Sequence, residues 1–206
     1  MAASTGAAAG SPSDGEALTQ LLRAGRKAAL SGDGPVTVVM GNEAADLDSV
    51  VCAVAVATAL QSGGAAACAF VAVPRNDLRL RPDVEWIFNT TGVHLDALVC
   101  ADELDVVQLA TSKRRQVDVA LVGESPLSHV FACWLLTPPS KCMSGTDHNH
   151  LTRAQHDALA EHVVLVIDHH EGECPYRAAV RDIAQVGSCS ALVVRHCVDA
   201  HARIMA

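Results

Sequence analysis

The chain has 206 residues, of which 50% are apolar and 18% are charged, a composition that excludes a disordered or low-complexity protein. Its length suits one core-bearing domain or a domain and a half. The formal net charge is −8, with 15 Lys and Arg against 23 Asp and Glu, which argues against broad binding of extended nucleic acid through a basic surface.

The first residues predict a tail followed by a helix. Residues 1–16 are rich in Ala, Gly and Ser and contain no Lys or Arg, so we expect a flexible tail rather than a signal peptide. A short helix is predicted from Ala17 to Leu30. No run of about 18 apolar residues occurs in the sequence, so no membrane-spanning segment is expected.

A βαβ unit is predicted over residues 36–73. It begins with VTVVM at 36–40, an apolar and β-branched run that is typical of a buried parallel strand. An Ala- and Val-rich helix at 49–61 follows, and Ser49 is its expected N-cap. The second strand is AACAFVAV at 66–73.

Strands and helices continue to alternate along the rest of the chain. Residues 74–81 form a basic connection, and helices are predicted at 82–92, 151–162 and 190–202. Further strands are predicted for HLDALVC at 94–100, VDVALV at 117–122 and VVLVI at 163–167. This order predicts an α/β fold with a doubly wound, mostly parallel sheet and helices on both faces.

The eight cysteines predict buried thiols rather than a metal or redox motif. None of them forms a CxxC pair, which argues against a zinc ribbon and a thioredoxin-like site. Most lie within apolar runs, where cysteine behaves as a small buried hydrophobe. We therefore expect a reducing, cytoplasmic compartment.

Polar clusters occur where predicted strands end. GNEAADLDS at 41–49 follows the first strand, TDHNH occupies 146–150, and IDHHE at 167–171 follows the strand at 163–167. Ligands of open α/β sheets bind beyond the carboxyl ends of the strands, so the clusters predict one site. Each cluster alone has an ordinary explanation as a turn or a helix cap, but together they predict chemistry.

The residue types in these clusters favour divalent metals. Carboxylates combined with imidazoles suit Mn²⁺ or Mg²⁺, with Co²⁺ as an alternative. Two such ions about 3.5–4 Å apart would bind a phosphate and activate a water. They would also explain how an acidic protein handles an anionic substrate.

The same residues resemble the DHH phosphoesterase superfamily, and within it the exopolyphosphatase and Prune-like branch. Family II pyrophosphatases have a His where this chain has Asn42, which favours the exopolyphosphatase-like branch. The resemblance covers most of residues 30–200 in the same order. It depends on GNEAADLDS, VPRNDLRLRPDVEWIF at 73–88, DHNHL at 147–151, VVLVIDHHE at 163–171 and VGSCSALVV at 186–194.

The resemblance implies a role for each residue of the metal site. Asp46 and Asp48 would each bind one ion, Asp147 would bridge the two ions, and His169 would complete one coordination shell. The catalytic residues His148 and His170 would lie near the scissile phosphate, where one would orient it or aid proton transfer.

Supporting roles are implied for five further residues. Asp168 would fix the tautomer of an imidazole, and Asn42 would be a weaker metal ligand than histidine. Arg79 or Arg81 would contact phosphate, with a solvated basic connection as the alternative. Ser188 opens a helix whose free N–H groups suit an anion, and a simple N-cap is its alternative.

The implied activity is hydrolysis of the terminal phosphoanhydride bonds of short polyphosphate, which releases orthophosphate. The substrate would be a small phosphate anion such as polyphosphate or pyrophosphate, with no membrane as a partner. Inorganic pyrophosphatase and cyclic-nucleotide phosphodiesterase are alternatives within the superfamily. The alternative from another class is a truncated, catalytically impaired relative that acts as an interaction protein.

Two departures from the family pattern affect the expected domain. Residues 123–146 separate the strand at 117–122 from Asp147, where the family has almost no spacer. This segment is either a surface excursion or translated intron sequence. The family's fourth acidic motif and its C-terminal domain have no counterpart, so we expect a DHH domain at 17–206 that is incomplete at its C-terminal end.

Overall fold

The computed structural model describes residues 13–42, 44–123, 159–169 and 176–205, with side chains up to residue 197 in the last helix. Six β-strands lie in these ranges: β1 Val36–Met40, β2 Ala67–Val71, β3 Val99–Cys100, β4 Val117–Val122, β5 Val163–Asp168 and β6 Val180–Ile183. The helices are α1 Asp14–Ser31, α2 Leu47–Ser62, α3 Arg75–Leu78, α4 Pro82–Thr91, α5 Val106–Thr111 and α6 Cys189–Met205.

The six strands form one parallel sheet in the order β3-β2-β1-β4-β5-β6. Strand β1 lies at the centre, where Val38 pairs with Cys68 of β2 on one side and with Val119 of β4 on the other. The prediction of a doubly wound parallel α/β sheet is therefore confirmed. All six strands end at the same edge, which is where ligands bind in this class of fold.

Both faces of the sheet are covered, as a parallel sheet requires. On one face, helices α1, α4 and α6 share a core with α2, to which they contribute Leu22, Val84, Phe88 and Leu192. Residues Val106 and Ala110 of α5 belong to the core on the opposite face. Neighbouring residues of β1 alternate between the two cores, so the strand is buried on both sides.

Helix α1 packs very closely against β2 because it carries glycine at the contact. A Cβ at Gly25 would lie 1.9 Å from the carbonyl oxygen of Ala67. The helix begins at Asp14, three residues before the predicted start, because the Ser13 hydroxyl accepts a hydrogen bond from the amide of Glu16. Residues 1–12 of the predicted tail lie outside the described residues.

Several predicted elements differ from the structure. The predicted strand at 94–100 is mostly a 3₁₀ turn, Leu95–Ala97, followed by only two residues of β3. The predicted connection at 74–81 contains the four-residue helix α3. Strand β6 was not predicted, because its sequence, VRDI, is half charged and its first two residues are exposed.

Other predictions fall wholly or partly outside the described residues. Residues 124–158 lie outside the described residues, and they include nearly all of the predicted segment at 123–146 and most of the predicted helix at 151–162. Residues 159 and 160 are helical. Within the described ranges, no helix is both long and apolar enough to cross a membrane.

Candidate functional site

The loop between β1 and α2 carries the first predicted cluster, and its shape is set by Asp46. The Asp46 carboxylate accepts hydrogen bonds from the Ser49 amide at 2.8 Å and from the Asn42 side-chain amide at 3.0 Å. Asp46 is therefore the N-cap of α2, which begins at Leu47. The prediction that Ser49 caps this helix was wrong. Ser49 lies in the first turn, and its hydroxyl donates to the carbonyl oxygen of Asp46.

The tight path of this loop depends on small residues. A Cβ at Gly41 would lie 2.6 Å from Cβ of Ser49 and 2.9 Å from its carbonyl oxygen. Ala45 has a φ of 48°, a left-handed conformation that residues other than glycine rarely adopt. Such a conformation costs of order 1–3 kcal/mol and is found most often at functional sites. The loop is therefore held in a strained shape that directs Asn42 and Asp46 toward each other.

Asn42 leaves one buried polar atom without a donor. Its Nδ2 donates to Asp46, but no donor reaches its buried Oδ1 among the described residues. A buried acceptor without a partner is destabilising, typically by about 1–3 kcal/mol. A divalent cation would satisfy such an amide oxygen, which is a ligand type that hard cations prefer. The donor set in this loop therefore fits a hard cation.

Asp48 lies in the first turn of α2 and contacts the beginning of α6. Its Oδ1 accepts hydrogen bonds from the Ser188 hydroxyl at 2.6 Å and from the Ser190 amide at 3.1 Å. Its Oδ2 accepts from the Cys189 amide at 2.9 Å. Burial opposes ionisation, but these hydrogen bonds outweigh it and lower the pKa of the Asp48 carboxyl. The folded structure therefore favours the ionised form of the Asp48 carboxyl.

Cys189 connects the Asp48 cluster to the end of β5. Its amide donates to Asp48, and its thiol donates to the carbonyl oxygen of Ile167 at 3.4 Å. Ile167 directly precedes Asp168, which is 4% exposed, and the half-buried His169. The first and third predicted clusters are thus joined through the start of α6.

Three predicted site residues cannot be placed. Asp147, His148 and His170 lie outside the described residues. Their assignments as a bridging ligand and as catalytic residues therefore stay predictions.

The two predicted phosphate-binding arginines lie at the same edge of the sheet, after β2. Arg79 is exposed and Arg81 is half-buried, between α3 and α4. Neither guanidinium has a hydrogen bond or ion pair to another residue in the described parts of the chain. This placement agrees with either alternative, a phosphate contact or a solvated connection.

A second acidic cluster follows β3, but its charges are already compensated. Ligand atoms of Cys100, Asp102 and Glu103 all lie within 4.8 Å of one another. However, the Glu103 carboxylate accepts hydrogen bonds from Arg26 and Arg75, and Asp102 accepts from the Arg75 amide. Two fixed guanidinium groups beside a carboxylate oppose the binding of a further cation. We therefore do not assign a metal to this cluster.

A cleft of about 490 Å³ lies between the end of α1 and α5, next to Glu103 of the second acidic cluster. Asp33, Asp105 and Arg114 are among the residues that line it, and none of the predicted site residues does. The cleft is therefore separate from the chemistry that the sequence predicts.

The structure also shows one contributor that sequence reasoning missed, the thiol of Cys52, which donates to Oδ1 of Asp48 at 3.7 Å. The sequence predicted free amides at the helix start near Ser188, but it did not indicate that the amides of Cys189 and Ser190 hold Asp48.

Comparisons with known proteins find relatives over most of the chain. The sequence model described as "DHH family, N-terminal domain" matches residues 36–205. Rat and mouse proteins named exopolyphosphatase PRUNE1 are both 32% identical over 171 residues, which cover 81% of this chain and 32% of each relative. The human protein of that name is 30% identical over 187 residues, covering 88% of this chain and 35% of its own length. The chain thus spans about a third of the length of these relatives.

Proposed function

The chain belongs to the DHH family, and we propose that it provides the metal-binding part of a phosphohydrolase active site. The observation that carries the proposal is the buried Oδ1 of Asn42, which has no donor in the described structure and lies in the loop shaped by Asp46. An unsatisfied oxygen acceptor beside a carboxylate suits a divalent cation. The relatives named exopolyphosphatase support a phosphoanhydride as the substrate.

We propose two divalent ions, Mn²⁺ or Mg²⁺, held by Asp46, Asp48, Asp147 and His169. Bound ions of this kind supply positive charge to phosphate oxygens and polarise the attacking water. The ionised state of Asp48, favoured by its hydrogen bonds, suits it to this task. Asp168 is buried directly beside His169, where it can orient an imidazole.

The other proposed roles concern the substrate. His148 and His170 would orient the scissile phosphate or aid proton transfer to the leaving group. Arg79 and Arg81 would attract the anionic chain of short polyphosphate from the edge of the site. Orthophosphate would be released from the terminal position.

A reducing, cytoplasmic environment is part of the proposal. The five cysteines in the described residues are all free thiols, and four of them are buried: Cys52, Cys68, Cys100 and Cys189. Buried free thiols are typical of proteins that fold where disulfides do not persist.

The test measures phosphate release from tripolyphosphate, pyrophosphate and a cyclic nucleotide with Mn²⁺, with Mg²⁺ and with EDTA. We expect metal-dependent release from tripolyphosphate that Asp48→Asn reduces at least 100-fold. The matched control is Asp118→Asn. Asp118 is the second residue of β4, at the end of the strand away from the candidate site, and its carboxylate accepts a hydrogen bond from the Gln116 side chain. This control should retain the activity of the parent chain.

The other outcomes also decide between alternatives. A preference for pyrophosphate or a cyclic nucleotide would replace polyphosphate with that substrate. Release that persists in EDTA would contradict the metal site. A folded chain that binds Mn²⁺ but releases no phosphate from any substrate would favour a non-catalytic interaction protein.

A further inference from the structure

We propose that Ser188, together with the first amides of α6, is a positioning residue that holds Asp48 so that its Oδ2 is the oxygen presented to a cation. The inference rests on the proposed metal site and goes beyond it, because it assigns a task to the start of α6 and distinguishes the two oxygens of one carboxylate.

The two carboxylate oxygens of Asp48 accept different numbers of hydrogen bonds. Oδ1 of Asp48 accepts from the Ser188 hydroxyl at 2.6 Å, the Ser190 amide at 3.1 Å and, weakly, the Cys52 thiol at 3.7 Å. Oδ2 accepts only from the Cys189 amide at 2.9 Å within the described part of the chain. A carboxylate oxygen has about two lone-pair sites, so Oδ1 is saturated and Oδ2 has one site left.

The groups that donate hydrogen bonds to Asp48 are themselves held in place. Both amides belong to the first turn of α6, whose N-terminal N–H groups carry partial positive charge. Cys189 is fully buried, and its thiol donates a hydrogen bond to the carbonyl oxygen of Ile167 in β5, which anchors the helix start to the sheet. The Ser188 hydroxyl also lies 2.5 Å from the Ser190 hydroxyl, so its direction is restrained from both sides.

The start of α6 holds an anion. The sequence allows Ser188 either to bind an anion such as phosphate or to act as a helix cap. In the structure both amides and the hydroxyl donate to Asp48, so the anion at this helix start is a side chain of the protein. The Ser188 hydroxyl oxygen also accepts from the Ser190 amide at 3.2 Å, so Ser188 caps the helix while it holds Asp48. This favours positioning of a metal ligand over direct binding of phosphate.

The inference is tested on the full 206-residue chain by titration calorimetry with Mn²⁺, using Ser188→Ala, Ser188→Thr and Ser190→Ala. Loss of a residue that orients a metal ligand typically weakens affinity 10–100-fold. We expect Ser188→Ala to weaken Mn²⁺ binding at least tenfold. Ser188→Thr keeps the hydroxyl and should remain within threefold of the parent. Ser190→Ala keeps its backbone amide and should have a smaller effect than Ser188→Ala.

Two further readouts separate positioning from folding and from the proposed activity. Thermal unfolding of each metal-free variant establishes that it is folded. Raising Mn²⁺ should restore phosphate release in Ser188→Ala but not in Asp48→Asn. A folded Ser188→Ala chain that binds Mn²⁺ within twofold of the parent would overturn the inference, as would equal losses in Ser188→Ala and Ser188→Thr.

The two proposals fail in different ways. A parent chain that binds Mn²⁺ through Asp48 but releases no phosphate contradicts the hydrolase alone, and the calorimetric comparison still decides the role of Ser188. A parent chain that binds no Mn²⁺ overturns both proposals.

Discussion

The guanidinium of Arg75 lies 2.7 Å from the Glu103 carboxylate and also donates to the carbonyl oxygens of Leu95 and Leu98. Arg26 of α1 lies 2.7 Å from the same carboxylate. Glu103 therefore joins α1, the segment after β2 and the turn after β3, at the edge of the sheet opposite β6.

Glu103→Gln should lower the free energy of unfolding by about 2–3 kcal/mol, because removing one partner of a partly buried ion network leaves its cations uncompensated. The Glu103 side chain is only 20% exposed, so solvent screening is limited. Urea unfolding followed by circular dichroism measures the change. The matched control is Asp96→Asn, which breaks the exposed pair between Arg23 and Asp96 and should change stability by only a few tenths of a kcal/mol. Equal effects of the two variants would contradict the structural role of Glu103.

Acid should weaken the fold through the same residue. Burial raises the pKa of Glu103, but hydrogen bonds from Arg26, Arg75 and the Cys100 amide outweigh it and bring the pKa to about 2. A carboxyl whose pKa is lower in the folded state stabilises above its unfolded pKa, near 4.5, and this contribution is lost as the pH falls toward 2. The stability difference between the parent and Glu103→Gln should therefore shrink between pH 5 and about pH 2. Urea midpoints measured across this range test it, and a constant difference would contradict it.

Gly41→Ala should damage both stability and metal binding. The added Cβ would meet Ser49 at 2.6 Å, which forces apart the end of β1 and the start of α2. Overpacking of this kind typically costs about 1–3 kcal/mol, and the displaced Asn42 and Asp46 should bind Mn²⁺ at least tenfold more weakly. Gly34→Ala is the control before β1, because a Cβ there meets nothing within 4 Å. Calorimetry and urea unfolding should leave the Gly34 variant close to the parent.

The buried thiols should resist alkylation in the folded chain. Burial raises the pKa of Cys68 to about 12 and is also the main cause that raises the pKa of Cys100 to about 12. At pH 8 almost no thiolate forms at either position, and the thiolate is the reactive species. Peptide mass spectrometry after treatment with iodoacetamide should find both residues unmodified until urea is added. Rapid labelling of Cys68 without denaturant would show that the predicted burial is wrong.

Sequence alone predicted the central elements of the sheet well. The run at 163–167 is wholly apolar, and the runs at 36–40 and 117–122 are apolar except for Thr37 and Asp118, which is close to what a strand buried on both faces requires. The elements at the edges were harder to predict. β6 contains Arg181 and Asp182, and β3 has only two residues, so neither shows the apolar pattern of a buried strand.

For the candidate site, sequence indicated the residues but not their contacts. Asp46, Asp48 and Ser188 could be selected from their places after strands and at a helix start. The hydrogen bond between Asp48 and Ser188 could not be predicted, because these residues are 140 positions apart and meet through the packing of α6 against α2. The error at Ser49 has a local cause. Asp46 and Ser49 are both acceptable caps by residue type, so the sequence alone does not choose between them.

The long separation of Asp48 from Ser188 also sets an order of events during synthesis. Ribosomes add about 5–20 residues per second, so roughly 7–28 s pass between the emergence of the first residue and that of the second. During that interval the nascent chain can form the β1–α2–β2 unit while the carboxylate of Asp48 faces water. The hydrogen bonds that hold Asp48 are therefore completed only after α6 has emerged and packs against α2.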